Sequence, residues 1–330
     1  MPAFGVSYFG VRDPRHARRD LDEIAAAGFR HVTHTLSEHD LRYHEKDVAR
    51  LIAETKTRGL EAGVDPWGVA GIFGGEAWSE LALTDLACRQ VDANGRSVPA
   101  ACPNSAAAQA LLARWARTAV DLGADVLFWD EPHFHLGALM SPPLAPCCRC
   151  DACAAAWRER FSGALPVEGT PELRAFRADS LRTLLAGAIA VVRGRAVRHS
   201  LCLLPRGEFA AAGSDDWEGF ARIPGLSRLS TDPYWMDRPV DPADFVRRHA
   251  TPLEELCRRT GAEMEVWLQG IRIPAGREDA ITAAADAAAD AGARIISFWS
   301  FRGTERMSHL ACGDPDAAWR AMCDAVRRHS

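Results

Sequence analysis

Eight short apolar runs, half of them closing on Gly, Pro or an amide, alternate along the chain with Ala/Leu/Arg-rich stretches of helical period. The runs occupy residues 5–10, 29–36, 60–67, 125–132, 199–205, 228–234, 263–269 and 294–301. Strand-helix alternation of this kind builds a parallel sheet, and eight repeats of it favour a closed barrel over an open doubly wound sheet. The expected class is therefore α/β, one (β/α)8 TIM barrel over residues 1–330. Such a barrel takes about 250 residues, and the 330 present leave enough for one or two long loops rather than a second domain.

The intervening helices have recognisable ends. Asp13-Pro14 and Asp314-Pro315 each set a capping carboxylate before a proline at the first helical position. Residues 104–122 carry Leu111, Leu112, Trp115 and Ala119 at helical spacing and stop at Gly123, and 171–192, 242–260 and 277–291 follow the same pattern. Gly28-Phe29, Gly59-Leu60, Gly123-Ala124 and Gly292-Ala293 mark returns from helix to strand. Segments 68–103 and 133–169, after the third and fourth strands, are too long for plain connections. Both leave the strand ends where barrel enzymes keep their sites, so the chain reads as an enzyme.

The fourth run, DVLFWDEPHFH, stops in two acids, Asp130 and Glu131, with Trp129, His133 and His135 alongside. Paired carboxylates serve acid/base hydrolysis, one delivering a proton and the other acting as base or nucleophile. Asp65 and Trp67 close the third run, Asp232, Tyr234 and Trp235 the sixth, and Trp299 and Arg302 the eighth. In the seventh, EMEVWLQG, Met264, Val266 and Leu268 form one apolar face, which turns Glu263, Glu265, Trp267 and Gln269 towards the barrel axis. Indoles stack on the apolar faces of sugar rings while carboxylates and amides bind their hydroxyls. The ensemble predicts a glycosidase for a small glycoside or oligosaccharide, its sugar, linkage and anomer left open.

Residues 147–153 read CCRCDAC, giving Cys148-x-Cys150-x2-Cys153 beside Cys147, with Cys102 in the other long loop. Three clustered thiolates and a fourth from a neighbouring loop make a closed, structural Zn(2+) site, and no organic cofactor is expected. Cys88, Cys202, Cys257, Cys312 and Cys323 are scattered and read as small buried hydrophobes. The net charge is −5 and no Lys/Arg cluster is free of acids, which argues against a nucleic-acid or membrane surface. The N-terminus runs straight into the first strand without the pattern of a secretory signal, so a cytoplasmic location with reduced cysteines is expected. A small carbohydrate is the expected partner, and homo-oligomerisation is left open.

Together these features resemble the clan-A glycoside hydrolases, most of all the catalytic barrel of the family 42 β-galactosidases. In that family the acid/base Glu ends the fourth strand and precedes a C-x-C-x2-C cluster whose zinc takes a fourth Cys from the preceding loop. Glu131, Cys148, Cys150, Cys153 and Cys102 occupy that order here. The segment SFWSFRGTERMSHLACGDPDAAW also resembles the family's aromatic eighth strand and its Gly-acid-His sequel. The chain departs from the family in having Asp130 where an Asn precedes the acid/base Glu, and Gln269 where the nucleophilic Glu ends the seventh strand.

Two arrangements follow. Glu131 donates the proton and Glu265 or Asp232 is the base or nucleophile, or else Asp130 is the nucleophile and Asp232 the acid/base, which resembles several retaining α-glycosidase barrels. The rival readings are a metal-dependent sugar isomerase or hydrolase using His31, His34, His133 and His135 with Asp65 or Glu131, and a carbohydrate-binding protein without turnover.

Overall fold

A computed structural model describes residues 1–136, 148–166, 169–209, 212–236, 238–305 and 307–329; Cys147 lies outside them. Eight parallel strands close into a barrel: Ala3–Tyr8, His31–Thr35, Glu61–Asp65, Val126–Trp129, Arg198–Leu203, Leu226–Thr231, Glu263–Gln269 and Ile295–Trp299. Each pairs with its neighbours in chain order, and Val6↔Phe298 in the first and eighth closes the ring. Every expected run holds one of these strands, so the (β/α)8 TIM barrel read from the sequence is the fold. The outward residues Val6, Val32, Val64, Leu127, Leu201, Leu229, Val266 and Ile296 are fully buried against the surrounding helices.

Four of those helices, Pro14–Ala26, Pro171–Ala190, Pro242–Thr260 and Pro315–Arg328, begin with proline behind a capping side chain from Asp13, Thr170, Asp241 or Asp314. Proline lacks an N–H where the helix has no acceptor for one, so it sits there without loss. At the returns, Gly28 and Gly123 have φ of 93° and 97°, a backbone that side chains rarely adopt. Among the described residues no helix is long and apolar enough to cross a membrane.

The loop after the third strand carries structure of its own: a short helix, Glu80–Thr84, and an antiparallel pair, Arg89–Val91 with Ser97–Ala101. These pieces are too short to show a period in the sequence.

The barrel interior is layered along its axis. At the strand starts, Arg228 reaches Glu263 (3.1 Å) and, across the barrel, Glu61 (3.3 Å), while His31 Nδ1 lies 2.8 Å from Glu61. One layer up, Glu265 accepts from Ser200 Oγ (3.2 Å) and Ser297 Oγ (2.7 Å). Gly5 makes this possible, since a Cβ there would fall 2.3 Å from Ser297 Oγ. Above them Phe128 and Trp267 meet from opposite walls at 4.9 Å between ring centres and separate this polar interior from the mouth.

Candidate active site

Side chains of successive strand residues point to opposite faces, so Asp130, two residues beyond the inward Phe128, points in and Glu131 should point out. Glu131 instead has φ 44°, a left-handed turn that brings its side chain into the same cavity. The turn is pinned on both sides: Glu131 N–H donates to Cys202 O (3.2 Å) and His133 N–H to Ile72 O (2.9 Å). A non-glycine residue held this way costs roughly 1–3 kcal/mol, and such residues concentrate at functional sites.

The cavity at the mouth has a volume of about 340 Å³, and Asp130, Glu131 and Asp232 line it beside Trp67, Tyr234 and Trp299. Trp67 and Trp299 both pack on Phe9, at 5.3 and 5.4 Å between ring centres. Asp65 is fully buried next to the acids, and neither of its oxygens has a hydrogen-bond partner among the described residues. Burial, then the charges of Asp130 and Glu131, push its carboxyl well above the usual range. Burial and Glu131 do the same to Asp130. Asp232 is raised by burial, by the Glu131 charge, and by hydrogen-bond contact with that carboxylate. Among the described residues Arg238 is the one cation on the wall, and it is ion-paired with Glu208. The mouth thus gathers acids without countercharge, and Asp65, Asp130 and Asp232 hold protons that free carboxyls would release.

Three contributors escaped the sequence reading. Gly74 packs its backbone so closely on the acids that a Cβ would come 2.4 Å from Asp130 Oδ2 and 3.0 Å from Glu131 Oε2. Gly75, at φ 111°, leaves the space taken by the Trp67 indole, whose Cδ1 a Cβ would meet at 1.6 Å. Glu76 lines the cavity and ties the loop to the one after the eighth strand, accepting from Ser308 Oγ at 2.6 Å and lying 3.0 Å from His309 Nδ1. The signal was there: a Gly-Gly-acid sequence in a long loop suits close backbone approach.

Several expected residues lie elsewhere. Glu265 faces the axis as expected, but below the Phe128–Trp267 layer, on Ser200 and Ser297 and 3.8 Å from Arg228, so it does not join the mouth acids. Trp267 itself underlies the cavity, packed at a tilt between Phe128 and Trp299. Gln269 is buried and donates to Ile271 O at 2.8 Å. Trp235 packs into the main core, because it follows Tyr234 and faces the opposite way. Arg302 is drawn to Glu23 (2.8 Å) and Asp316 (3.4 Å), in a separate pocket between the first and eighth strand ends. Trp129 points outward onto Trp115 and His199.

The four histidines do not converge. His31 is at the barrel base on Glu61, and His34 faces Thr55 on the helix Glu45–Thr57 at 2.7 Å. His133 folds back on the Glu131 carbonyl, and the backbone of His135 donates to Gln90 Oε1 at 3.0 Å.

Cys102, Cys148, Cys150 and Cys153 are brought together as expected: all are buried, with their sulfurs within 4.8 Å of one another, and could hold a metal ion. Asn104 Nδ2 donates to Cys153 Sγ (3.3 Å) and Val91 N–H to Cys148 Sγ (3.4 Å), contacts that favour thiolates. Sulfurs around a tetrahedral ion at about 2.3 Å stand roughly 3.8 Å apart, close to this spacing. The cluster binds the antiparallel pair of the preceding loop to the segment after Glu131, for Arg149 N–H also donates to Val91 O (2.8 Å) and Gln90 spans to His135.

No protein-family model and no curated protein matches the chain. Solved structures do. The catalytic domain of a β-amylase from Paenibacillus polymyxa is similar with TM-score 0.67 at 11% identity, over 98% of each chain. An endo-1,4-β-mannanase from Rhizomucor miehei gives TM-score 0.63 at 10% identity, over 99% of this chain and 95% of that one. A D-allulose 3-epimerase from Methylomonas sp. gives 0.52 at 14% identity, over 100% and 98%. Identities this low establish a shared barrel fold.

Proposed function

We propose that the chain is a glycoside hydrolase whose working carboxylates are Glu131 and Asp232. The observation that carries this reading is that the two carboxyls lie side by side on the wall of a cavity walled by Trp67, Tyr234 and Trp299. Two carboxyls so close cannot both ionise readily, so the pair holds one proton. Burial and Glu131 put it on Asp232, which delivers it to the departing glycosidic oxygen as substrate parts the pair. Glu131 faces the developing positive charge on the sugar as nucleophile or base. Asp130 binds a ring hydroxyl beside them, and the indoles carry the apolar face of the sugar. The volume of about 340 Å³ suits a small glycoside. The glycosidase names among structures of similar fold agree with this in kind.

The four-cysteine cluster takes zinc in this reading, as a closed structural ion. Cys102, Cys148, Cys150 and Cys153 would hold it, and its part is to anchor the Glu131 segment rather than to enter the reaction.

The test is hydrolysis of a panel of aryl α- and β-glycosides by the wild type and by Glu131→Gln, Asp232→Asn and Asp130→Asn. Glu131→Gln and Asp232→Asn should lower kcat/KM on the order of 1,000-fold with the fold intact, and Asp130→Asn should act mainly on KM. An unimpaired Glu131→Gln enzyme would sink the assignment.

A further inference from the structure

The mouth carries more carboxyl groups than a working pair requires. Glu76, Asp130, Glu131 and Asp232 line the cavity, Asp65 is buried against Asp130 and Glu131, and the ion pair with Glu208 already occupies Arg238. Asp232 is only 4% exposed, lines the cavity, and has no hydrogen-bond partner for Oδ1. Asp232 answers its burial with the proton it shares with Glu131, which leaves the Glu76 carboxylate on the same wall to take a cation.

The remaining wall is aromatic, with Trp67, Phe209, Tyr234 and Trp299 on it. Ring faces attract cations within about 6 Å, most strongly where water is excluded. A bare metal ion does not suit this arrangement. Among the described residues only the cysteine cluster brings three or more ligand atoms of His, Cys, Asp or Glu close enough to share one ion. Acids spread around ring faces fit a larger cation with an apolar body.

We propose that the substrate is a glycoside carrying a protonated amine, an amino sugar, with Glu76 receiving the ammonium group and Trp67 and Trp299 the ring. This rests on the hydrolase reading and names its substrate class. Glu76 is the specificity residue: Ser308 and His309 fix its carboxylate on the wall. Acetylation of the amine removes the recognised charge, and a uronic acid reverses it.

The experiment is calorimetric binding, at pH 6.5 to wild-type protein, of aryl 1-thioglycosides that resist hydrolysis. Glucosamine and galactosamine forms are compared with their N-acetyl, hydroxyl and uronate counterparts. The amines should bind on the order of tenfold more tightly than the neutral forms. That advantage should shrink in Glu76→Gln and at 1 M salt (about 3 Å of Debye length), while neutral forms change little. Equal or weaker binding of the amines, a preference for the uronates, or no binding of any of them overturns the proposal. So does binding of calcium or manganese alone in the mouth. Turnover that depends on Glu131 without amine preference would remove this inference and leave the hydrolase reading. Amine-selective binding without turnover of the matching O-glycosides would do the reverse.

Discussion

At the base of the barrel Glu61, Glu263 and Glu265 surround Arg228, with His31 on Glu61, and the acids share that cation or accept from serine hydroxyls. At the mouth Asp65, Asp130, Glu131 and Asp232 crowd together, and among the described residues none of them has an ion-pair partner. The two groups are of similar size and lie in one interior, divided by Phe128 and Trp267. A charge network that closes on itself holds strands together, whereas carboxylates left without countercharge raise the energy of the empty protein and await a proton or a ligand. The comparison separates acids that build the barrel from acids that act.

The largest effect should come from opening the network at the base. Arg228→Met leaves Glu265 buried without its cation and Glu61 with Arg198 as its remaining guanidinium, and should cost about 3–5 kcal/mol of stability at pH 7. Urea unfolding measures it, and turnover per folded molecule should be unchanged. A loss below about 1 kcal/mol would break the distinction, because the base would then be no more tightly bound together than the mouth.

Stability against pH should sharpen it, because the ends have opposite slopes. Burial and Arg228 hold His31 at about 4 against an ordinary 6.5, so the unfolded chain takes up that proton first and stability falls as pH drops from 6.5 to 4. A shift of that size corresponds to at most about 3.4 kcal/mol, and His31→Asn should flatten the slope by its own share, since burial lowers His34 and His199 in the same direction. Asp65, Asp130 and Asp232 at the mouth run the other way. The folded protein keeps protons that unfolded carboxyls, near pH 4, have released, so stability falls as pH rises above that range. Asp65→Asn should therefore stabilise the protein at pH 8 and do little at pH 3.5.

The smallest effect concerns how the mouth is held up. Gln90→Ala removes the bond to the His135 backbone and the one to Ala101 O at 3.1 Å, and should cost about 1–2 kcal/mol with a several-fold loss of turnover. Its metal content should equal that of the wild type by elemental analysis. Turnover equal to wild type would separate the cysteine cluster from the active end.

Most of the fold was legible because its signals are local. Apolar runs, Asp-Pro starts and glycines at the returns depend on a few adjacent residues, and all eight barrel strands overlap the runs read for them. The cysteine cluster was legible for a related reason: three of its members lie within six residues, and thiols so close have few other uses. The reading of the seventh strand was half right, since alternation tells which face a side chain takes but not its depth along the barrel. Glu265 and Asp232 both face the axis, yet strand register sets the first on Arg228 and the second in the cavity.

The sequence by itself thus determined the barrel, the acids at its strand ends and the thiols of its loops, since each is written in neighbouring residues. Only the tertiary structure decided which acids work together. Glu131 turns inward through a left-handed backbone, Glu76 arrives from a loop with the help of two glycines, and Trp235 and Arg302 are drawn away by nearer partners. The physical reason is that a carboxylate's charge state depends on what surrounds it in space. At the mouth those surroundings come from the third, fourth and sixth strands and two long loops, and no stretch of chain contains them together.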